Sequence, residues 1–415
     1  MKQKLIGYFK IFILLNFLFL ILVSINLIPK SAIEKNIINS LDVFKENSYR
    51  YNVFNNIDAS KDDIIADSVI LNMNYQNYNN PLKDTLLSKF YYKEKSTYID
   101  NFIISVEENL EKNQEYSRYW HGYNILYRPL LTIMNIIQIK IFYLFIFIIL
   151  VGILFYYCNK NNMKEFAYIF IIGCALSNYL MSAISLEYIP AFLLSVISCI
   201  LIIKYKGNNY LLLFSLFGML TCFFDFLTIE TVTLTLPLIC IIIKFYKNNE
   251  KIKVTNFIFY CSSWLATYLL SFLYKWVLTA CITGENYISS SFNAGITRAQ
   301  SSTINELAGI KLNILMLFPN LNRAKTAMII FFIIILILLI ILFLFRKDNI
   351  NKNNIFVSLL LTTFIPYIRY ILLFRHAYEH YFFTYRAQIS SIICVLLIFY
   401  YFIDLSMLRR KKWCF

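Results

Sequence analysis

Charge is scarce in this sequence. Asp, Glu, Lys and Arg supply 15% of the 415 residues and hydrophobic residues 59%, whereas an ordinary soluble domain carries about 25% charge. With a mean hydropathy of +0.59, that shortage excludes a soluble globular domain and leaves a polytopic membrane protein. Nucleotide-handling motifs are absent as well: there is no G-x-x-x-x-G-K-[ST], no G-x-S-x-G, no G-x-G-x-x-G after a strand, and no internal repeat. A nucleotide-driven pump or a cytosolic transferase is thereby disfavoured. None of the nine cysteines lies in the polar block from Pro29 to Ser117, and no two have C-x-x-C spacing. They read as small core hydrophobes and not as a thiol metal or redox site. The basic excess, 39 Lys+Arg against 24 Asp+Glu for a net +15, sits beside hydrophobic segments, where it sets topology; no nucleic-acid partner is expected.

What is present is a series of long apolar runs. A helix needs about 20 apolar residues to cross a bilayer, and such runs cover 9–28, 138–158, 166–183, 188–203, 209–223, 229–245, 254–274, 326–345, 354–374 and 387–405. The first follows Lys2, Lys4 and Lys10 and lacks a small-x-small cleavage site, so it reads as an uncleaved span. Loops on one side hold Lys160, Lys164, Lys204, Lys206, Lys244 and Lys247, while the short loops on the other hold Glu187, Asp225 and Glu230 without Lys or Arg. The positive-inside rule then puts both termini in the cytoplasm and the chain in the plasma membrane. The expected fold is an all-α membrane protein of about ten transmembrane helices. Residues 1–28 form the first span, 29–117 an extracytoplasmic loop domain, 118–134 an interfacial or re-entrant helix, 135–405 a helical bundle and 406–415 a basic cytoplasmic tail.

This map gathers the chemically versatile residues on the outer face, including all three histidines. In KDDIIADSVILNMNY, Asp63 and Asp67 are four apart, so on a helix both carboxylates share a face and Ile64, Ile65, Val69 and Ile70 largely pack elsewhere. They suit a general base or a metal site, or else a helix N-terminus whose dipole favours acids; Asp42 is a weaker candidate. In SRYWHGYNILYRPLL, the rings suit headgroup depth, and Arg118, His121 and Arg128 are cations available to a phosphate or arginines that snorkel. Asp225 lies between two apolar runs with Arg369 as its candidate partner, because a buried carboxylate must be paired or protonated; Glu187 poses the same question. In RHAYEHYFFTYR, His376 and His380 stand at i and i+4 with Arg386 after them. That order lacks the H-E-x-x-H arrangement of a metalloprotease, and clustered donors at Arg375, His376, His380 and Arg386 suit phosphate better than metal.

The order of features resembles the C-type (GT-C) superfamily of integral-membrane glycosyltransferases: a first span, a large acidic outer loop, an aromatic segment at the membrane surface, then many spans with a later outer loop. Four segments, DDIIADSVILN, RYWHGYNILYRPLL, FFDFLTIETVTLTLPL and HAYEHYFFTYR, also resemble a group of uncharacterised bacterial multispan proteins. The superfamily resemblance implies transfer of a sugar from a polyprenyl-phosphate carrier to a cell-envelope glycan or protein acceptor at the outer face. It implies Asp63 or Asp67 as base and a subset of Arg118, His121, Arg128, His376, His380 and Arg386 as the phosphate clamp, with Asp225, Glu187 and Arg369 in support. A divalent metal is a possible cofactor. The first loop lacks a strict D-x-D or E-x-D and the chain lacks the tryptophan-rich signature of oligosaccharyl transferases. Competing readings are a lipid-linked polysaccharide polymerase or ligase, a transporter or flippase of lipid-linked sugars, and a noncatalytic assembly protein.

Overall fold

The apolar stretches fold as helices throughout this computed structural model, which describes residues 2–46, 51–52, 61–62, 64–225, 227–250, 253–300, 305, 307–318, 330, 333–338, 340–341 and 353–403. The first helix, α1 (Lys2–Ile25), leads into the polar block, which holds α2 (Lys30–Ile38), α3 (Leu41–Glu46), α4 (Ile64–Asn74), α5 (Pro81–Leu87) and α6 (Tyr98–Glu107). After α7 (Asn124–Leu131) come α8 (Ile136–Lys160), α9 (Lys164–Leu176), α10 (Ile189–Lys204), α11 (Tyr210–Phe224), α12 (Val232–Lys247) and α13 (Val254–Thr283). The chain continues through α14 (Tyr287–Ala299), α15 (Ala308–Leu315), α16 (Asn353–Leu372), α17 (Phe374–Glu379), a single turn at Tyr381–Thr384 and α18 (Ile389–Phe402). A two-residue antiparallel ladder pairs Tyr51 with Asp62 and Asn52 with Lys61.

Local sequence sets several of these boundaries. Asn80 accepts from the Lys83 N–H ahead of Pro81 at the first position of α5, where a missing N–H costs nothing. Thr97 with Asp100 and Asn135 with Gln138 form reciprocal capping boxes that start α6 and α8, satisfying donors that a helix start leaves open.

Among the described residues, five helices are long and apolar enough to cross a membrane: Leu5–Ile25, Ile136–Lys160, Val254–Thr283, Asn354–Leu372 and Tyr381–Phe402. Their outer faces carry exposed large side chains such as Phe9, Phe17, Phe145, Ile149, Phe259 and Leu270, an apolar surface that water would not tolerate at this extent. The chain is a helical membrane protein. The expected run 326–345 lies mostly outside the described residues, as does the basic tail 406–415. The remaining runs fall on helices, but α9 to α12 have only 13 to 16 residues. Of these, α12 is the most enclosed: Val232 to Ile243 are all buried. Most cysteines are core residues as expected, whereas Cys281 is exposed and Cys414 lies outside the described residues.

The closest helix contact joins α11 to α13 through small and hydroxyl-bearing residues. Thr267 Oγ1 donates to the Ser215 carbonyl at 2.8 Å, Ser263 Oγ donates to the Leu211 carbonyl at 3.0 Å, and the Ser215 and Ser263 hydroxyls meet at 2.5 Å. Gly218 makes this approach possible, since a Cβ there would sit 2.1 Å from the Trp264 carbonyl oxygen. Lipid tails are as apolar as Leu, so helices in a membrane associate through such close backbone contacts and hydroxyl bonds. Replacing Gly218 by Leu should therefore destabilise the protein by at least the roughly 1–3 kcal/mol typical of overpacking. Thermal unfolding in detergent checks this, and an unchanged midpoint would contradict the assigned contact.

Candidate functional site

The aromatic segment after Ser117 packs its rings into the protein interior. Trp120, Tyr123 and Tyr127 are fully buried, with Trp120 Nε1 donating to the Ser271 carbonyl at 3.0 Å and Tyr127 Oη to the Leu186 carbonyl at 2.6 Å. The turn that enters α7 is tight: His121 has φ +52°, and Gly122 packs so closely on Phe223 that a Cβ would lie 2.3 Å from its ring. The polar tips of Trp120, Tyr123 and Tyr127 thus find partners inside the protein.

That enclosure removes two expected phosphate ligands. Both ring nitrogens of His121 are engaged, Nε2 donating to the Tyr116 carbonyl at 2.8 Å and Nδ1 accepting from the Tyr123 hydroxyl at 2.6 Å; burial pushes its pKa down to about 3, so it is neutral. Arg128 is fully buried. Its Nη1 donates to the Asn74 carbonyl at 2.5 Å, and its Nη2 to the carbonyls of Ile28 at 2.6 Å and Gln76 at 2.9 Å. This arginine ties backbone together and is not available to a substrate.

The base candidates also move. Asp63 lies outside the described residues. Asp67 is fully buried on α4, where it pairs with Lys140 Nζ at 2.6 Å and accepts from the Leu186 N–H at 3.0 Å. Another face of α4, with Ile65, Ala66, Val69 and Ile70, lines a cleft of about 670 Å³. The sequence reading had the carboxylate facing the site; the helix is turned the other way, because Asp67 finds its counter-ion on α8.

Asp225 and Arg369 are not partners of each other. Arg369 Nε pairs with Glu230 Oε1 at 2.8 Å, and its Nη2 donates to His376 Nδ1 at 3.2 Å. Since guanidinium only donates, Nδ1 is an acceptor and His376 is the neutral Nε2–H tautomer. Burial and the Arg369 charge hold its pKa well below the ordinary histidine value. The carboxylate of Asp225 instead closes its own turn, accepting from the N–H groups of Leu227 at 2.9 Å and Thr228 at 3.0 Å and from the Thr228 hydroxyl. Burial, then the nearby Glu230, raise its pKa to about 7 against those hydrogen bonds. Arg386 is buried with its guanidinium over the rings of Tyr188 and Tyr385, at 5.2 and 5.1 Å.

The residues that share open space form a cleft of about 670 Å³. Its walls come from α4, from the loop segments around Phe90–Tyr98 and Gln114–Arg118, and from Glu379–Phe383, with Glu187 and Tyr123 also lining it. Rings dominate: Tyr92 lies 5.6 Å from Tyr98, Phe90 lies 6.2 Å from Tyr116, and His380 stacks on Phe383 at 5.3 Å. The ionisable lining comprises Glu115, Glu187, Glu379, Arg118 and His380. Glu187 is only 5% exposed and acts electrostatically on Tyr116 and Tyr123. Glu379 is 44% exposed and pairs with Arg375 at 2.8 Å, while Glu115 binds the Tyr287 hydroxyl at 2.6 Å. Burial pulls His380 down to about 4 even though Glu379 favours its charged form, and the Arg298 and Arg369 charges lower it further. Arg298 also lies over the Tyr119 ring at 5.5 Å, so its charge reaches both sides of the site.

Arg118, His380 and Glu187 are thus the expected site residues that the cleft brings together. His376, Arg386, Asp225 and Arg369 are buried away from its lining. Sequence reasoning missed Glu115 and the rings of the polar loop; the signal for the latter was the aromatic density of FYYKEKSTY. Among the described residues no three His, Cys, Asp or Glu side chains are grouped as a metal set.

The Asp67–Lys140 pair makes a direct prediction. Removing one partner of a buried pair leaves the other uncompensated, at a cost of about 3–5 kcal/mol. Asp67→Asn should therefore lower the unfolding midpoint strongly, and adding Lys140→Met should restore most of it. A double variant no more stable than the single one would refute the pairing.

No family model, curated protein or solved structure matches this chain.

Proposed function

We propose that the protein is a GT-C-like glycosyltransferase that moves a sugar from a polyprenyl-phosphate carrier to a cell-envelope acceptor in the outer cleft. The observation that carries this reading is the cleft lining: aromatic rings beside the buried carboxylate of Glu187 and the cation Arg118. Sugar rings present C–H faces that pack on aromatic rings, and a carrier phosphate requires charge-assisted donors. A hydroxyl attacking the anomeric carbon gives up its proton as the carbon–phosphate-oxygen bond breaks. The carboxylate takes that proton, and the arginines stabilise the departing phosphate.

In this assignment Glu187 is the base. Asp67 faces away from the cleft toward Lys140, whereas Glu187 is a buried carboxylate in the tyrosine-lined wall of the cleft itself. Arg118 and Arg298 receive the phosphate. General-base catalysis contributes about 10²- to 10⁴-fold, and a charge-assisted hydrogen bond about 1.5–3 kcal/mol. In reconstituted vesicles, Glu187→Gln should bind a polyprenyl-phosphate sugar normally yet lose turnover by about that factor. Arg118→Gln should weaken carrier binding by about ten- to a hundredfold. Release of polyprenyl phosphate is the readout; wild-type protein that releases none with any carrier-linked sugar would overturn the transferase reading.

The topology that goes with this function has about ten spans, cytoplasmic termini and an outward cleft in the plasma membrane. It is supported by the lysines at the ends of α8, α10 and α12, namely Lys160, Lys204, Lys244 and Lys247, all remote from the cleft. In a cysteine-free background, Glu108→Cys should react with an impermeant maleimide in intact cells and Asn208→Cys only after lysis. The reverse pattern would place the cleft in the cytoplasm and exclude an extracytoplasmic reaction.

A further inference from the structure

A second cavity, of about 560 Å³, lies where α8, α10 and α12 end. The cleft residue Glu187 immediately precedes α10, and Lys204 closes that helix. Sixteen residues at 1.5 Å each put about 24 Å between them, so the two cavities open at opposite ends of the bundle. Five lysines line this one, Lys160, Lys204, Lys206, Lys244 and Lys247, against a single acid, Glu250.

The lysines divide by what they already hold. Lys244 Nζ donates to the carbonyls of Ile202 at 2.9 Å, Ile203 at 3.2 Å and Tyr205, satisfying acceptors that the end of α10 leaves open. Lys247 pairs with Glu165 at 2.7 Å. These two build the wall. Lys160, Lys204 and Lys206 are exposed at its mouth and form no ion pair among the described residues, with Lys204 Nζ held 4.9 Å above the Tyr157 ring. The amides of Asn161, Asn208 and Asn248 add neutral donors.

We propose that this cavity binds the phosphate-bearing headgroup of an anionic lipid. Three ammonium groups with no ion pair among the described residues line this one cavity from two helix ends and the loop between α10 and α11. Apolar side chains of the same helices, Ile153 and Tyr156 on α8 and Leu201 on α10, are exposed and offer a track for acyl chains. Each lysine near a membrane surface contributes roughly fivefold to anionic-lipid binding.

Native mass spectrometry of the full-length protein released from nanodiscs tests the site. Wild-type protein should retain phosphatidylglycerol in preference to phosphatidylcholine, and Lys160→Gln/Lys204→Gln/Lys206→Gln should lower that preference by roughly a hundredfold. Glu250→Gln, which leaves the wall intact, should raise it by roughly fivefold and serves if the triple variant does not fold. Displacement of phosphatidylglycerol by excess inorganic phosphate would assign recognition to the phosphate group alone, and persistence would assign it to the lipid; both support an anion site. Equal retention of the two lipids by wild type, an undiminished preference in the folded triple variant, or no gain with Glu250→Gln would overturn it.

Discussion

The guanidinium of Arg128 ties the end of α1 to the end of α4. Arg128 on α7 holds the carbonyls of Ile28, just past α1, and of Asn74 and Gln76 at the end of α4, with the ring of Tyr78 4.8 Å away. No acidic group neutralises it among the described contacts; its charge is spread over carbonyl dipoles, which count for more in a low-dielectric interior than in water. The planar fork reaches separate segments at once, which a lysine ammonium on a flexible stem does not reproduce. Because the end of α4 is fixed here, the face of α4 that lines the cleft is fixed as well. The α4 wall of the cleft is thus held from behind, while its loop walls are tied to the bundle by the Trp276 Nε1 bond to the Arg118 carbonyl and the Tyr287 hydroxyl bond to Glu115.

Three ion pairs specify which helices are neighbours. Asp67–Lys140 joins α4 to α8, Glu165–Lys247 joins α9 to α12, and Glu230–Arg369 joins the start of α12 to α16. In a bundle built largely from Ile, Leu and Phe, many pairings bury similar apolar area, so buried charges discriminate more sharply than shape. A misplaced partner leaves a charge alone in an apolar medium, which costs far more than a poorly packed methyl group.

Hydropathy made the helices readable, since every run outside 326–345 falls on helical backbone. Periodicity also placed Asp67 on a helix, but amphipathic spacing says only that residues share a face, not which face meets a cavity. That choice was made by Lys140, 73 positions away. Likewise Arg369 went to Glu230 and not Asp225, because Thr228 and the Leu227 N–H supply Asp225 with local donors that a list of charges does not reveal. The rings around Trp120 resembled an interfacial belt, and their burial follows from the Gly122–Phe223 approach, a tertiary contact. Arg118, His380 and Glu187 were legible as candidates; their meeting in one cleft with Phe90, Tyr98 and Phe383 was not.

The unequal helix lengths bear on the surrounding lipid. The 16 residues of α10 and of α12 span about 24 Å at 1.5 Å each, short of a hydrocarbon core of about 30 Å. The 25 residues of α8 and the 30 of α13 exceed it, and these carry the exposed apolar faces. Short helices exposed to lipid would thin the bilayer or oligomerise to relieve the mismatch. Here α8 and α13 carry exposed apolar side chains such as Phe145 and Leu270, whereas Val232 to Ile243 of α12 are all buried, so the 16-residue α12 meets protein along its length and does not have to match the bilayer by itself.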